Sequence, residues 1–372
     1  MTIAPPGRRP APPQPRDLIK EARRRQHRRW LATGVAVTVV VTGVAAAMAG
    51  SGAGAGPRPV ARHPRPAVPV PAAAARVTVS QTSLPAGNSL SLAVGYRAVW
   101  VTGIGVTYQV DEATGRIVRT IPTPGTSPDG CRSGVTAGAG AVWVTHGCQG
   151  IYRIDPRSGG VTASLRVPDA GDAIAVAGGL LWVTSYRGDL LRIQPRTGQI
   201  LGRPVPVGFG DWTMVPDAGA LWVTSYGSGA PGGTAIRVDL ATGAVQRFGN
   251  LDVQAVGAGS LWTPQVQRFD PATGRVIASL PVPSASEVAF WKGLAWALTV
   301  GPSLAFVRID PGTDQVTGPP VPLGRLFSAA LAGTSKPTAI AAGPGELWVL
   351  ELDPSLLFRL TISGPLGDGT AR

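Results

Sequence analysis

Groups that do chemistry are scarce in this chain. Its 372 residues include three histidines and two cysteines, and only 15% are charged. No Gly-rich phosphate loop, serine elbow or paired-histidine metal signature occurs. On these absences the sequence argues for binding or scaffolding over catalysis. What it has in abundance is Gly (50) and Pro (36). Both disfavour helix interiors, and both suit many short strands joined by tight turns.

A net charge of +13 suggests a nucleic-acid partner until it is divided by region. Residues 1–30 hold nine Lys/Arg against Asp17 and Glu21, and residues 51–76 hold Arg58, Arg62, Arg65 and Arg76 with no acid. Residues 77–372 carry 21 basic and 19 acidic side chains, close to neutrality. A nucleic-acid-binding domain needs its basic excess on the folded surface, so no nucleic-acid partner is expected.

The tail has its own explanation. Arg23, Arg24, Arg25, Arg28 and Arg29 precede Leu31–Gly50, an uncharged run. At ~1.5 Å rise per residue, such a run spans the ~30 Å hydrocarbon core of a bilayer as a helix. Basic residues on its N-terminal side place residues 1–30 in the cytoplasm and the remainder outside the cell membrane. The segment reads as an uncleaved signal-anchor, a single-pass transmembrane helix. The alternative is a cleaved signal with Ala47-Met48-Ala49 as its site, which would make the protein secreted. Ser51–Arg76 is a Pro/Ala-rich linker whose polyproline II segments act as a semi-rigid stalk.

From residue 77 the sequence repeats. An apolar-Trp-Val-Thr phrase, or a looser variant, recurs at Trp100, Trp143, Trp182, Trp222, Trp262, Trp296 and Trp348, at spacings of 43, 39, 40, 40, 34 and 52 residues. About a dozen residues after most of these comes a turn phrase such as Asp155-Pro156-Arg157-Ser158-Gly159 or Asp270-Pro271-Ala272-Thr273-Gly274. Pro presets φ, Gly supplies φ > 0, and the leading Asp can cap the turn. A period near forty built from short strands is the signature of propeller blades. The expected fold is an all-β, seven-bladed β-propeller over 77–363, with 364–372 as a C-terminal tail. The 34- and 52-residue spacings leave six or eight blades open.

Each repeat parses into strands a to d. In the third these are Ala173–Val176, Leu180–Ser185, Leu190–Ile193 and a strand starting at Gln199–Gly202. The last repeat lacks an obvious fourth strand, and the orphan Arg76-Val77-Thr78-Val79-Ser80 resembles a strand d. The first strand is therefore expected to complete the last blade and hide both sheet edges, in a monomeric ring. Cys131 and Cys148 lie about the Gly138-Ala139-Gly140 turn, where an a–b hairpin and export favour a disulfide. A reactive or metal-binding pair would have only His146 as a nearby ligand.

The phrases Ala141-Val142-Trp143-Val144-Thr145 and Ile154-Asp155-Pro156 resemble blades of the YncE-like propellers and of the related streptogramin (virginiamycin B) lyases. The resemblance covers about 77–363 and implies a propeller. The lyases carry a divalent-metal site with catalytic histidines on one face. Here His146 in the second blade is the sole histidine of the domain, so no catalytic residue carries over.

Ligands of propellers usually meet the b–c and d–a connections at one mouth of the central channel. Aligned on tryptophan, Asp172 and Asp252 fall just before strand a in blades three and five. Asp211 and Glu287 lie one residue out of that register in blades four and six. They could form an acidic arc for a basic ligand or for Ca²⁺ or Mg²⁺, or could simply hydrogen-bond neighbouring backbone. Tyr186, Arg187 and Asp189 in blade three, with Trp212 and Tyr226 in blade four, suit a sugar, peptide or protein ligand, or ordinary loop packing. Arg325 and Lys336 lie in a long connection before the last blade. His146 reads as a loop hydrogen-bonding residue rather than a base. The resulting expectation is a sensor or scaffold for an envelope protein, peptide or glycan. A metal-dependent lyase or hydrolase is the alternative.

Overall fold

The computed structural model describes residues 76–85, 91–103, 105–124, 133–146, 149–208, 210–226, 234–249, 251–282, 285–299, 305–323, 337–351 and 355–363. The basic tail, the expected anchor, nearly all of the linker, both cysteines and residues 364–372 lie outside them. Among the described residues no helix is long and apolar enough to cross a membrane.

Seven antiparallel sheets are present. Their inner strands are Ser91–Gly95, Val135–Gly138, Ala170–Ala177, Asp211–Pro216, Ala255–Gly257, Ala285–Trp291 and Pro337–Ala342. Each inner strand contacts the next, and the seventh contacts the first. The ring therefore closes with seven blades. Closure uses both ends of the domain, as the sequence suggested. Arg76–Ser83 pairs with Leu356–Ser363 from Arg76↔Ser363 to Ser83↔Leu356, supplying the outer strand of blade seven. Thr82 Oγ1 then donates to the Gly115 carbonyl of blade one at 2.6 Å.

The repeat tryptophans make the seams between blades. The core divides into seven buried clusters, and each joins residues of two consecutive blades around one repeat indole. Trp100, Trp143, Trp262, Trp296 and Trp348 are fully buried. In five blades the indole N–H is satisfied by the carbonyl five residues upstream, as for Trp100→Gly95 at 3.1 Å and Trp143→Gly138 at 3.0 Å. Opposite each tryptophan in strand c stands an arginine (Arg153, Arg192, Arg237, Arg268, Arg308, Arg359), or Gln109 in blade one. Two of these polar side chains latch blades together. Gln109 Nε2 donates to the Pro156 carbonyl and Arg268 to the Pro311 carbonyl, each in the next blade's c–d turn.

Those turns form as the sequence implied. Asp155 Oδ1 accepts from the backbone of Arg157 and Ser158, and Asp111, Asp239 and Asp270 do the same in their turns. The closing glycine also wedges against the preceding blade. A Cβ on Gly198 would lie 2.8 Å from Leu165, and Gly198 has φ of 73°.

Two outer strands depart from the expected regularity. In blade three, Gln199–Gly202 is not a continuous strand. Ile193↔Ile200 is a single bridge, and pairing resumes only at Val205–Pro206. Blade six repeats the device, with Gln315–Val316 and Val321–Pro322 flanking Thr317-Gly318-Pro319-Pro320. Proline has no N–H to donate, and Gly202 and Gly318 both take positive φ, so pairing breaks there.

Candidate functional site

Alternation of strand direction puts the a–b and c–d turns on one face of the ring and the b–c and d–a connections on the other. The second face is the channel mouth. Its inner-strand starts are irregular in two of the blades that carry acids. Pairing shifts between Ala170 and Ile174, around Asp172, and between Ala285 and Glu287.

The structure brings Asp252 and Glu287 together. Glu287 stands on the inner strand of blade six, and Asp252 just precedes that of blade five. Gln254, which sequence reasoning did not mark, accepts from the Val288 N–H at 3.1 Å and fixes the two strand starts together. Glu287 is partly exposed, but protein surrounds its carboxyl. Burial, and secondarily the Asp252 charge, push its pKa up to about 8. At neutral pH this pair therefore holds a proton.

Asp172 is half-buried on the blade-three inner strand, close against Gly134 of blade two. Asp211 pairs in backbone register with Tyr226, and the side chains of both lie outside the described part. Among the described residues no group of three or more His, Cys, Asp or Glu could hold a metal ion. Two facing carboxylates offer fewer oxygens than the ~6–8 that Ca²⁺ takes.

Beside the acids lies a half-aromatic patch. Tyr186 and Trp212 meet edge-on at 6.1 Å in the seam between blades three and four. Trp212 is buried, and its indole donates to the Gly208 carbonyl at 3.2 Å. Tyr186 is half-buried at the mouth, so of the two rings it is the one a ligand can touch. Arg187 is exposed and pairs with Asp169 at 2.7 Å. Exposed pairs contribute ~0–1 kcal/mol, so Arg187 can exchange partners cheaply. Arg325 and Lys336 fall outside the described residues.

His146 ends strand b of blade two. It stacks on Tyr152 at 4.0 Å, its Nε2 lies 3.3 Å from Ser164 Oγ, and burial lowers its pKa. Nδ1 is buried without a partner among the described residues. The direction of the Nε2–Ser164 hydrogen bond is set by the ring tautomer.

The repeat threonines, also unmarked by sequence reasoning, stabilise this face. Thr224 Oγ1 accepts from the Val253 N–H of the next blade at 3.1 Å, and Thr102 Oγ1 donates to the Ser133 carbonyl at 3.1 Å. Both are fully buried. The apolar-Trp-Val-Thr phrase thus encodes the seam and also the stitch beside the mouth.

The fold and the site define a seven-bladed β-propeller. No family model matches the chain, and no curated protein matches it in sequence. Among solved structures the chain is similar to the WD40 domain of Pan2 from Neurospora crassa, with a TM-score of 0.55 and 12% identity. That likeness covers 77% of this chain and 95% of the Pan2 domain chain. It shows a WD40-like propeller fold, and it does not extend the resemblance to YncE-like propellers or lyases.

Proposed function

We propose that this chain is a membrane-tethered, extracytoplasmic propeller that captures a protein, peptide or glycan of the cell envelope at its channel mouth. Support comes chiefly from the Asp252–Glu287 pair, a proton-holding acidic site on the mouth face, which also carries the reachable Tyr186 ring and the exposed Arg187. Carboxylates, an aromatic face and a loosely paired cation suit hydrogen-bonding ligands with basic or hydroxyl groups. The tether rests on the arginine-flanked apolar run Leu31–Gly50. Interaction with proteins is a common use of WD40-like propellers, an analogy at the level of fold.

Affinity capture on full-length protein tests this reading. Envelope extract is passed over wild type and over the variant Asp252→Asn/Glu287→Gln/Tyr186→Ala. A partner held by wild type and lost from the variant supports the proposal, and equal recovery overturns it. The second reading, a metal-dependent lyase or hydrolase similar to the streptogramin lyases, rests on the sequence resemblance, since the acidic pair alone supplies too few ligands for a metal. Metal analysis with a Ca²⁺ and Mg²⁺ thermal-shift titration decides that one. Absence of both bound metal and stabilisation rejects it.

A further inference from the structure

The face opposite the mouth has a different chemistry. Exposed on or beside its a–b and c–d turns are Arg97, Arg116, Arg157, Arg196, Arg275 and Lys292. The aspartates of these turns, Asp310 and Asp314 included, stay ionised but are mostly engaged by their own turn backbone or by an arginine. Asp111, Asp155, Asp239 and Asp270 are half-buried and bonded to their own turn backbones at 2.7–2.8 Å. Glu346 is ion-paired with Arg359 at 2.9 Å, and Glu112 is biased towards its neutral form by burial beside Glu346. Among the described residues of these turns, Asp217 is the one fully exposed acid. The mouth, by contrast, carries Asp169, Asp172, Asp252 and Glu287 against Arg166 and Arg187.

Among the described residues, the exposed large hydrophobics lie towards the same turn face. They are Tyr96, in an a–b turn, and β-branched residues at the starts of outer strands. Val161 (42%), Val276 (53%) and Val316 (48%) are examples, and each follows a c–d turn. They form a broken rim with the cations between them.

The chain also enters the propeller here. Arg76 pairs with Ser363 at the turn-face end of blade seven, whereas Ser83 reaches the mouth end beside Leu356. Upstream lie Arg58, Arg62 and Arg65, then the apolar run ending at Gly50. At ~3 Å per residue an extended linker would not prevent this face from settling on the membrane.

We propose that the turn face docks on the anionic lipid surface in which the chain is anchored, leaving the channel mouth directed away from the membrane. The inference rests on the tether reading given above. Spread cations gain from a negative headgroup layer within about a Debye length, ~8 Å at physiological salt. A Tyr and a rim of valines suit the headgroup boundary.

The test uses full-length protein, mixed with vesicles of phosphatidylcholine alone or with added phosphatidylglycerol, then floated and mapped by hydrogen exchange. The expected result is flotation with both. Exchange at residues 112–116, 156–160, 195–199 and 271–275 should be several-fold slower on the anionic vesicles. High salt, or the variant Arg97→Asn/Arg157→Ser/Arg196→Ser/Arg275→Ser, abolishes that slowing. Flotation with both lipids but equal exchange overturns docking and leaves the tether standing. Flotation with anionic vesicles alone sinks the tether while the docking face stands. Failure to float with either rejects both.

Discussion

The indole of Trp291 donates to the Gly343 carbonyl at 2.9 Å, across the seam between blades six and seven. Five other blades assign the carbonyl five residues upstream to the repeat tryptophan, so Gly343 is the acceptor expected for Trp348. The Trp348 N–H is instead buried without a partner among the described residues. One tryptophan outside the repeat has taken the acceptor of another.

That exchange separates two substitutions. Trp291→Phe removes a bond that Trp348 can replace and trims one buried ring, so it should cost about 1–2 kcal/mol. Trp348→Ala empties the seam between blades seven and one and should cost ~3–5 kcal/mol. It should also speed hydrogen exchange at residues 91–95, which pack across that seam. Urea midpoints and exchange rates check both. Equal costs for the two would show that the seam tryptophans are not what holds the ring closed.

The glycines of the turns give a cleaner pair. Gly198 and Gly179 share a φ of 73°, but a Cβ on Gly179 meets nothing within 4 Å, whereas one on Gly198 lies 2.8 Å from Leu165. Gly179→Ala should cost ~1 kcal/mol for the left-handed backbone alone. Gly198→Ala should cost measurably more, because Leu165 must also move. Equal denaturation midpoints would remove the wedge between blades two and three from the account.

Glu287 makes stability fall with pH. Its folded pKa of about 8 lies above the ordinary value of 4.5, so the folded state holds a proton that the unfolded chain has lost. The contribution is complete below pH 4.5 and is lost as pH rises through about 8. Glu287→Gln mimics the protonated form. It should match wild type at pH 4.5 and melt several degrees higher at pH 8. A parallel shift at both values would show that no proton is involved.

The turn aspartates act with the opposite sign. Hydrogen bonds from Ser158, Thr242 and Thr273 lower the pKa of Asp155, Asp239 and Asp270 below 3.8. Their contribution is present above that value and is lost as pH falls through the depressed folded pKa. The triple variant Asp155→Asn/Asp239→Asn/Asp270→Asn should therefore flatten the acid limb of a stability–pH profile and leave the Glu287 limb intact.

The ring was legible in the sequence because a seam is required between every pair of blades and only a large indole fills it. The displaced first strand was legible for a similar reason, since an unpaired edge needs a partner. The arginine opposite six of the seven tryptophans was hidden. It lies anywhere from six residues later (Trp262 to Arg268) to fifteen (Trp222 to Arg237), because the b–c connections differ in length. The broken outer strands of blades three and six were also missed, although Gly202-Arg203-Pro204-Val205-Pro206 and Gly318-Pro319-Pro320-Val321-Pro322 are near copies. At the mouth no repeat constrains the side chains. Alignment placed Asp252 and Glu287 on one face, but their approach depends on the bulge at Ala285 and on Gln254.

The direction of the mouth is what the functional account needs most. A photocrosslinking aromatic amino acid placed at Tyr186, and separately at Val161, reports which face a partner protein touches. Irradiation of cells carrying the full chain should give a protein adduct from position 186 and none from position 161. Protein adducts from position 161 alone would contradict both the binding mouth and the lipid-facing rim.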